Sequence, residues 1–178
     1  MRGKVFSISV FSCIFSSLVG SVAFAASDAG HGRVNMQGAI IDTACAIAVE
    51  SREQVIDMGV IPFSTVLRDG HGRSQPFSIA LINCVLERQG KPDWRAFQVT
   101  FDGERDGDYF GVYGEARGVA LRIMDEYGNQ ARPGKALPLR DLVLGDHVLN
   151  YTLTLMPNQR GLKAGAYFST IRFKLDYF

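Results

Sequence analysis

Residues Gly165 to Phe178 read GAYFSTIRFKLDYF, and their alternation decides the fold. One parity holds Gly165, Tyr167, Ser169, Ile171, Phe173, Leu175 and Tyr177; over its second half the other holds Thr170, Arg172, Lys174 and Asp176. A period of two predicts a β-strand with one buried and one solvated face. No hairpin partner follows it. A strand this apolar leaves unpaired N–H and C=O groups and an open hydrophobic edge, an arrangement natural proteins avoid. Something else is therefore expected to cover that edge.

The same alternation recurs upstream at short intervals. Val34 and Met36 lead into Ala39-Ile40-Ile41, and Gln54 to Met58 form a second apolar segment. Phe77, Ile79 and Leu81 alternate toward Cys84, followed by Phe97, Val99 and Phe101, by Val119, Leu121 and Ile123, and by Leu149, Tyr151, Leu153 and Leu155. Between them stand turn signals such as Asp69-Gly70, Asp106-Gly107, Gly128-Asn129 and Pro133-Gly134. No amphipathic helix with caps and no internal repeat is readable. The pattern predicts an all-β sandwich with immunoglobulin-like strand spacing. The single tryptophan, Trp94, follows Cys84, so the antibody order of Cys, Trp, Cys is absent.

Residues 1–25 open with Arg2 and Lys4, continue through an apolar run broken by serines, and end at Ala23-Phe24-Ala25. That is the pattern of a secretory signal peptide; the run is too short for a membrane anchor. Its removal from the 178 residues leaves 153 and takes away two positive charges and no acid, so a formal charge of +1 becomes −1. A nearly neutral chain gives no electrostatic case for nucleic acid or anionic membrane. Of three cysteines Cys13 leaves with the signal, and Cys45 and Cys84 form an even pair in an exported protein, which predicts a disulfide. The competing reading, metal ligation, lacks a His or third Cys at ligand spacing.

Catalytic groups are thin. His31, His71 and His147 are scattered, and none sits in a nucleophile motif. The stretch Asp102 to Asp108 places carboxylates at positions one, three and five of a calcium-type loop with glycine at six, but Tyr113 stands where a bidentate glutamate belongs. A solvated hairpin loop is the better account. Asn150-Tyr151-Thr152 matches a glycosylation sequon inside a predicted strand and is discounted. No enzyme, cofactor, metal or small-molecule substrate is expected.

A signal peptide, two cysteines some forty residues apart, short alternating strands, and above all Gly165 fourteen residues from the end with Tyr177 penultimate, together resemble the pilin subunits of the chaperone–usher pathway. Segments Val34 to Cys45, Ile56 to Gly59 and Gly118 to Asp125 extend the resemblance over the mature chain. Ile56 to Gly59, Val99 to Gly103, Leu162 to Phe168 and Leu175 to Tyr177 are most similar to the minor, terminating subunits of P-pilus type. A major or adaptor shaft pilin is the alternative, and a stand-alone exported binding module a more distant one.

The resemblance implies an incomplete immunoglobulin-like sandwich that lacks its final strand and is completed by donor-strand addition. A periplasmic chaperone first fills the gap, and a neighbouring subunit's N-terminal extension later replaces it at an outer-membrane usher, carrying the product to a cell-surface fimbrium. Strand addition draws affinity from main-chain hydrogen bonds and specificity from side-chain pockets. On this chain the acceptor and chaperone-binding residues implied are Gly165, Tyr167, Ile171, Phe173, Leu175, Tyr177 and Phe178. The donor segment implied is residues 26–33, or as far as about 37, with Gly30, Gly32, Val34 and Met36 on one parity, and the pilin domain is 34–178.

Overall fold

The computed structural model describes residues 33–38, 40 and 42–178. The chain divides into residues 1–39 and 40–178. In the first part, residues 33–38 carry no regular secondary structure, and Val34 and Met36 are exposed, so the strand expected from their alternation is absent there. A strand with no neighbour has no ladder to join, which is why apolar parity alone did not produce one. Gly30, Gly32, Ala39 and Ile41, and the predicted signal peptide, lie outside the described residues.

From Ile40 the described elements are β1 (Ala46–Ile47), α1 (Val49–Arg52), α2 (Phe63–Asp69), β2 (Ser74–Cys84) and β3 (Ala96–Gly103). Short strands follow: β4 (Arg105–Asp106), β5 (Tyr109–Phe110) and β6 (Tyr113–Gly114). Then come β7 (Val119–Asp125), β8 (Gln130–Ala131), β9 (Lys135–Ala136), β10 (Arg140–Asp141), β11 (Gly145–Pro157), β12 (Tyr167–Phe168) and β13 (Ile171–Tyr177). One sheet runs β1-β2-β11-β7-β5-β4, with β8 against β7; a second runs β10-β3-β13, with β9 against β3. A two-stranded ribbon joins β6 and β12. All pairings are antiparallel.

The predicted alternations become the core. Ile79, Leu81, Leu121, Ile123 and Leu153 on the first sheet, and Phe97, Val99 and Phe101 on the second, belong to one buried cluster. Aromatic rings knit the layers: Phe101 meets Tyr151 edge-on at 5.0 Å, and Tyr151 stacks on Phe77 at 5.3 Å. Late in β2 the parity breaks, because Asn83 takes a left-handed conformation (φ 53°) and its N–H bonds Asp146 Oδ1. That extra step turns Cys84 into the core. Its sulfur is bonded to Cys45 at 2.06 Å, beside the pairing of Ala46 with Ile82.

Two elements differ from expectation. Gln54 to Met58, read as a strand, has no regular structure. The Asp57 carboxylate instead accepts the Gly59 N–H, and Gln75 Nε2 donates to the Asp57 carbonyl, so local polar bonds take the place of a ladder. The helices α1 and α2 were not read at all. They span four and seven residues without a side-chain cap, too short to show a period. For α2 the available signal was Pro62 before its first residue and Gly70 after its last; Gly70 is left-handed (φ 70°) and donates to Val66 O.

The acid-rich stretch is a hairpin, β4 and β5 turning at Gly107. Its carboxylates have separate partners: Asp106 takes Asn158 Nδ2 and Arg160, and Asp108 faces Arg132. Near the start of the domain Asp42 accepts from Arg88 (2.6 Å) and Lys91 (2.9 Å), while the Arg88 guanidinium lies 3.7 Å over Trp94. The two cations hold the Asp42 carboxyl below its usual range, Arg88 chiefly.

Candidate functional site

Strand β13 pairs with β3 along one side only, from Ile171 opposite Gly103 to Tyr177 opposite Phe97. Among the described residues no strand pairs its other edge. The main-chain groups there are free to bond another chain. Residues 53–61 face this edge across a groove, and they too belong to no ladder. The fold thus leaves two stretches of backbone outside any ladder along one depression.

The groove has a volume of about 1530 Å³. Its floor is core: Phe77, Ile79, Phe101, Leu121 and Leu153 reach it from both sheets. One wall is residues 53–61 with Phe63 and Val66; the other runs from Leu162 to Phe173. Such a surface is shaped for apolar side chains arriving at alternate positions, with main-chain bonds along the rim. Charged residues, namely Arg52, Glu53, Asp57, Lys163 and Arg172, are also among its lining. Arg172 and Lys174 occupy the exposed parity of β13, Lys174 beside Asp176 at 2.9 Å.

Of the residues implied by resemblance, the structure brings Gly165, Tyr167, Ile171 and Phe173 to this groove. Leu175 and Tyr177 lie beyond its lining and pack against the core. Tyr177 sits 5.8 Å from Trp94 and 6.5 Å from Phe97, and burial pushes its phenol above the usual range against opposing contacts with Thr43 and the Cys45 main chain. Phe178 turns its side chain outward, and its main-chain oxygen accepts from the N–H groups of Arg95 and Ala96.

The predicted single strand from Gly165 is two. Tyr167 and Phe168 join β6 in the small ribbon, Ser169 Oγ donates to Gly111 O at 2.7 Å, and pairing with β3 starts only at Ile171. Gly165 is fixed by close approach. A Cβ there would stand 2.6 Å from Glu115 Cβ and 2.8 Å from Ala116 N, where the chain crosses the segment bonded to Ala166 O and Lys163 O. Sequence reasoning missed the opposite wall: Gln54 to Met58 read as a strand, Val60 and Phe63 were not singled out, and only the lack of a ladder over residues 53–61 beside the groove marks this stretch as a wall.

No protein-family profile matches the chain. Among curated proteins, the PRS and PAP fimbrial minor pilin proteins of Escherichia coli are each 38% identical over 151 residues, covering 82% of this chain and 77% of theirs. The chain belongs to the fimbrial pilins. The fold of this pilin is similar to that of the P pilus rod subunit PapA, with a TM-score of 0.68 at 22% identity over 76% of this chain and all of that one. It is also similar to a subunit in the structure of a chaperone–usher pilus, at a TM-score of 0.67 and 24% identity over 84% of this chain and 97% of that one. Relatives of this identity make the pilin a structural subunit of a surface fimbria, and the missing strand on the free edge of β13 is a feature of an immunoglobulin-like sandwich left incomplete.

Proposed function

We propose that the groove beside β13 accepts an extended strand from another protein, first a periplasmic chaperone delivering the subunit to an outer-membrane usher and then a neighbouring pilin. The observation that carries this is the pairing of two unladdered walls, residues 53–61 and β13, over an apolar floor. Gly165, Tyr167, Ile171 and Phe173 form its inner wall; Leu175, Tyr177 and Phe178 continue the same strand toward the chain end. The segment 26–33, running to about 37 and holding Gly30, Gly32, Val34 and Met36, is the strand this pilin gives to the next subunit after removal of residues 1–25. Residues 34–178 are the body of the subunit. Partners are other proteins of the fibre and its assembly line, and no chemistry is performed.

Within the family, the minor-subunit reading is supported by 38% identity to the minor pilins against 28% to the PRS major pilin. A shaft or adaptor role has its own support in the open groove, because only a subunit that receives a strand passes growth onward. Strand exchange separates the two. The chaperone-bound pilin is mixed with N-terminal extension peptides of sibling pilins, and chaperone release is followed. Release by at least one peptide identifies a shaft or adaptor subunit; a complex that forms yet exchanges with none identifies a terminator. A stable monomer that never engages the chaperone overturns the strand-accepting function itself.

A further inference from the structure

Two acids on the rim of the groove have no ion partner. In residues 53–61, Met58 is buried and Ile56 half-buried against the core, so the parity they share turns inward; Glu53, Val55 and Asp57, on the other parity, are exposed. Glu53 and Asp57 both line the depression, and neither forms an ion pair among the described residues. One Asp57 oxygen accepts the Gly59 N–H at 2.8 Å. Arg172 and Lys174 hold the outer parity of β13, but each already faces an acid, Asp102 at 3.9 Å and Asp176 at 2.9 Å. Of the other cations in the lining, Arg52 donates its Nε–H to Ile47 O, and Lys163 stands on the wall opposite residues 53–61. The outer rim therefore carries uncompensated negative charge beside Val55 and compensated positive charge on β13.

The chain itself supplies a strand of matching charge. Between Ala26 and Gln37 the large apolar side chains are Val34 and Met36, which share a parity and are exposed. A strand seated in an apolar groove turns that parity inward, which puts His31 and Arg33 on the outer face, the same side as Glu53 and Asp57. Asp28, on the inner parity, opposes burial of the first residues, so Val34 and Met36 mark the part that seats. Resting on the strand-accepting function above, we propose that Glu53 and Asp57 recognise the cationic outer face of the incoming strand, and that the strand they fit is the N-terminal segment of a second copy of this chain, with Arg33 against the acidic rim. Any alternating apolar strand can fill the floor, so the outer face is where like and unlike strands are told apart. Such an association is head-to-tail and does not close, so copies of this pilin could follow one another in a fibre.

The test refolds the mature, oxidised pilin with a labelled peptide of its own residues 26–41. At about 50 mM salt this peptide should bind roughly three- to tenfold more tightly than the same peptide carrying Arg33→Glu, the range for reversing one exposed cross-strand charge. The ratio should fall toward one at about 1 M salt, where the screening length is about 3 Å. In a pilin with Glu53→Lys and Asp57→Asn the preference should reverse; asparagine keeps an oxygen for the Gly59 N–H, so the wall retains its local bond. Equal binding of the two peptides by the wild type, or the same ratio in the variant, overturns the inference. So does a charge preference that persists in Phe173→Ala with binding undiminished, because the peptide then lies outside the groove. Should the wild type take up neither peptide, the inference falls alone if the chaperone still captures the pilin, and the strand-accepting function falls with it if the chaperone does not.

Discussion

At the scale of single residues, Gly165 shows how a glycine is chosen by its surroundings. Side-chain-free backbone is required where the chain passes Glu115 and Ala116, since any Cβ meets atoms at 2.6 and 2.8 Å. Gly165→Ala must push the crossing segments apart, and overpacking of this type costs roughly 1–3 kcal/mol. Chemical denaturation should show that loss as a lower midpoint; an unchanged midpoint would mean the crossing is loose. The tyrosines supply a second residue-scale expectation. Burial raises Tyr151, Tyr167 and Tyr177 above the ordinary value of 10.0. For a raised phenol the unfolded chain ionises first, so the stabilisation is complete below pH 10 and declines as pH rises beyond it. Tyrosinate absorbance should therefore develop in two stages among the six tyrosines, the later stage coinciding with alkaline unfolding. A single titration near the ordinary value in folded protein would contradict the buried geometry.

At the scale of elements, β13 shows both the reach and the limit of alternation. Ile171, Phe173, Leu175 and Tyr177 were legible as the inward parity, because each faces a residue of β3 that is itself core or flanks it. The break at Ser169 was not legible. It depends on a hydroxyl reaching Gly111, which lies 58 residues away in sequence. The same holds for residues 53–61. Val55, Ile56 and Met58 have strand-like composition, but a strand is defined by its neighbour, and among the described residues no strand lies alongside them. The long strands β2, β3, β7 and β11 were readable for the opposite reason: each lies between or beside partners within the chain, so one parity carries the large buried apolar side chains. Phe173 is the natural probe of the open element. Its ring packs 6.2 Å from Phe101 at the groove floor. Phe173→Ala should weaken strand uptake by at least about tenfold, the equivalent of 1.4 kcal/mol, measured as the peptide concentration needed for chaperone release. Undiminished uptake would place the incoming strand elsewhere.

At the scale of the whole molecule, the sandwich leaves the edge of β13 unpaired among the described residues, and the disulfide ties the chain near the start of the domain. Cys45 and Cys84 are separated by 39 residues. Removing such a crosslink releases loop entropy worth about 4 kcal/mol in the unfolded chain. Cys45→Ser should accordingly lower the denaturation midpoint markedly while the empty groove persists; equal midpoints for oxidised and substituted protein would show the bond to be idle. A domain lacking a strand has little margin for such a loss.

The position of that bond has a mechanical meaning as well. Any pull transmitted through the polypeptide from its N-terminal side reaches Asp42 and, three residues later, Cys45. There the load passes across the sulfur bridge to Cys84 at the end of β2, and the chain between the two half-cystines bears none of it. Helices α1 and α2, and the wall formed by residues 53–61, lie inside that bypassed loop. Traction on a fibre would thus leave one wall of the groove slack while the rest is under tension. Reduction would admit the loop to the load path and lengthen the unravelled chain by about 130 Å, at roughly 3.3–3.6 Å per residue.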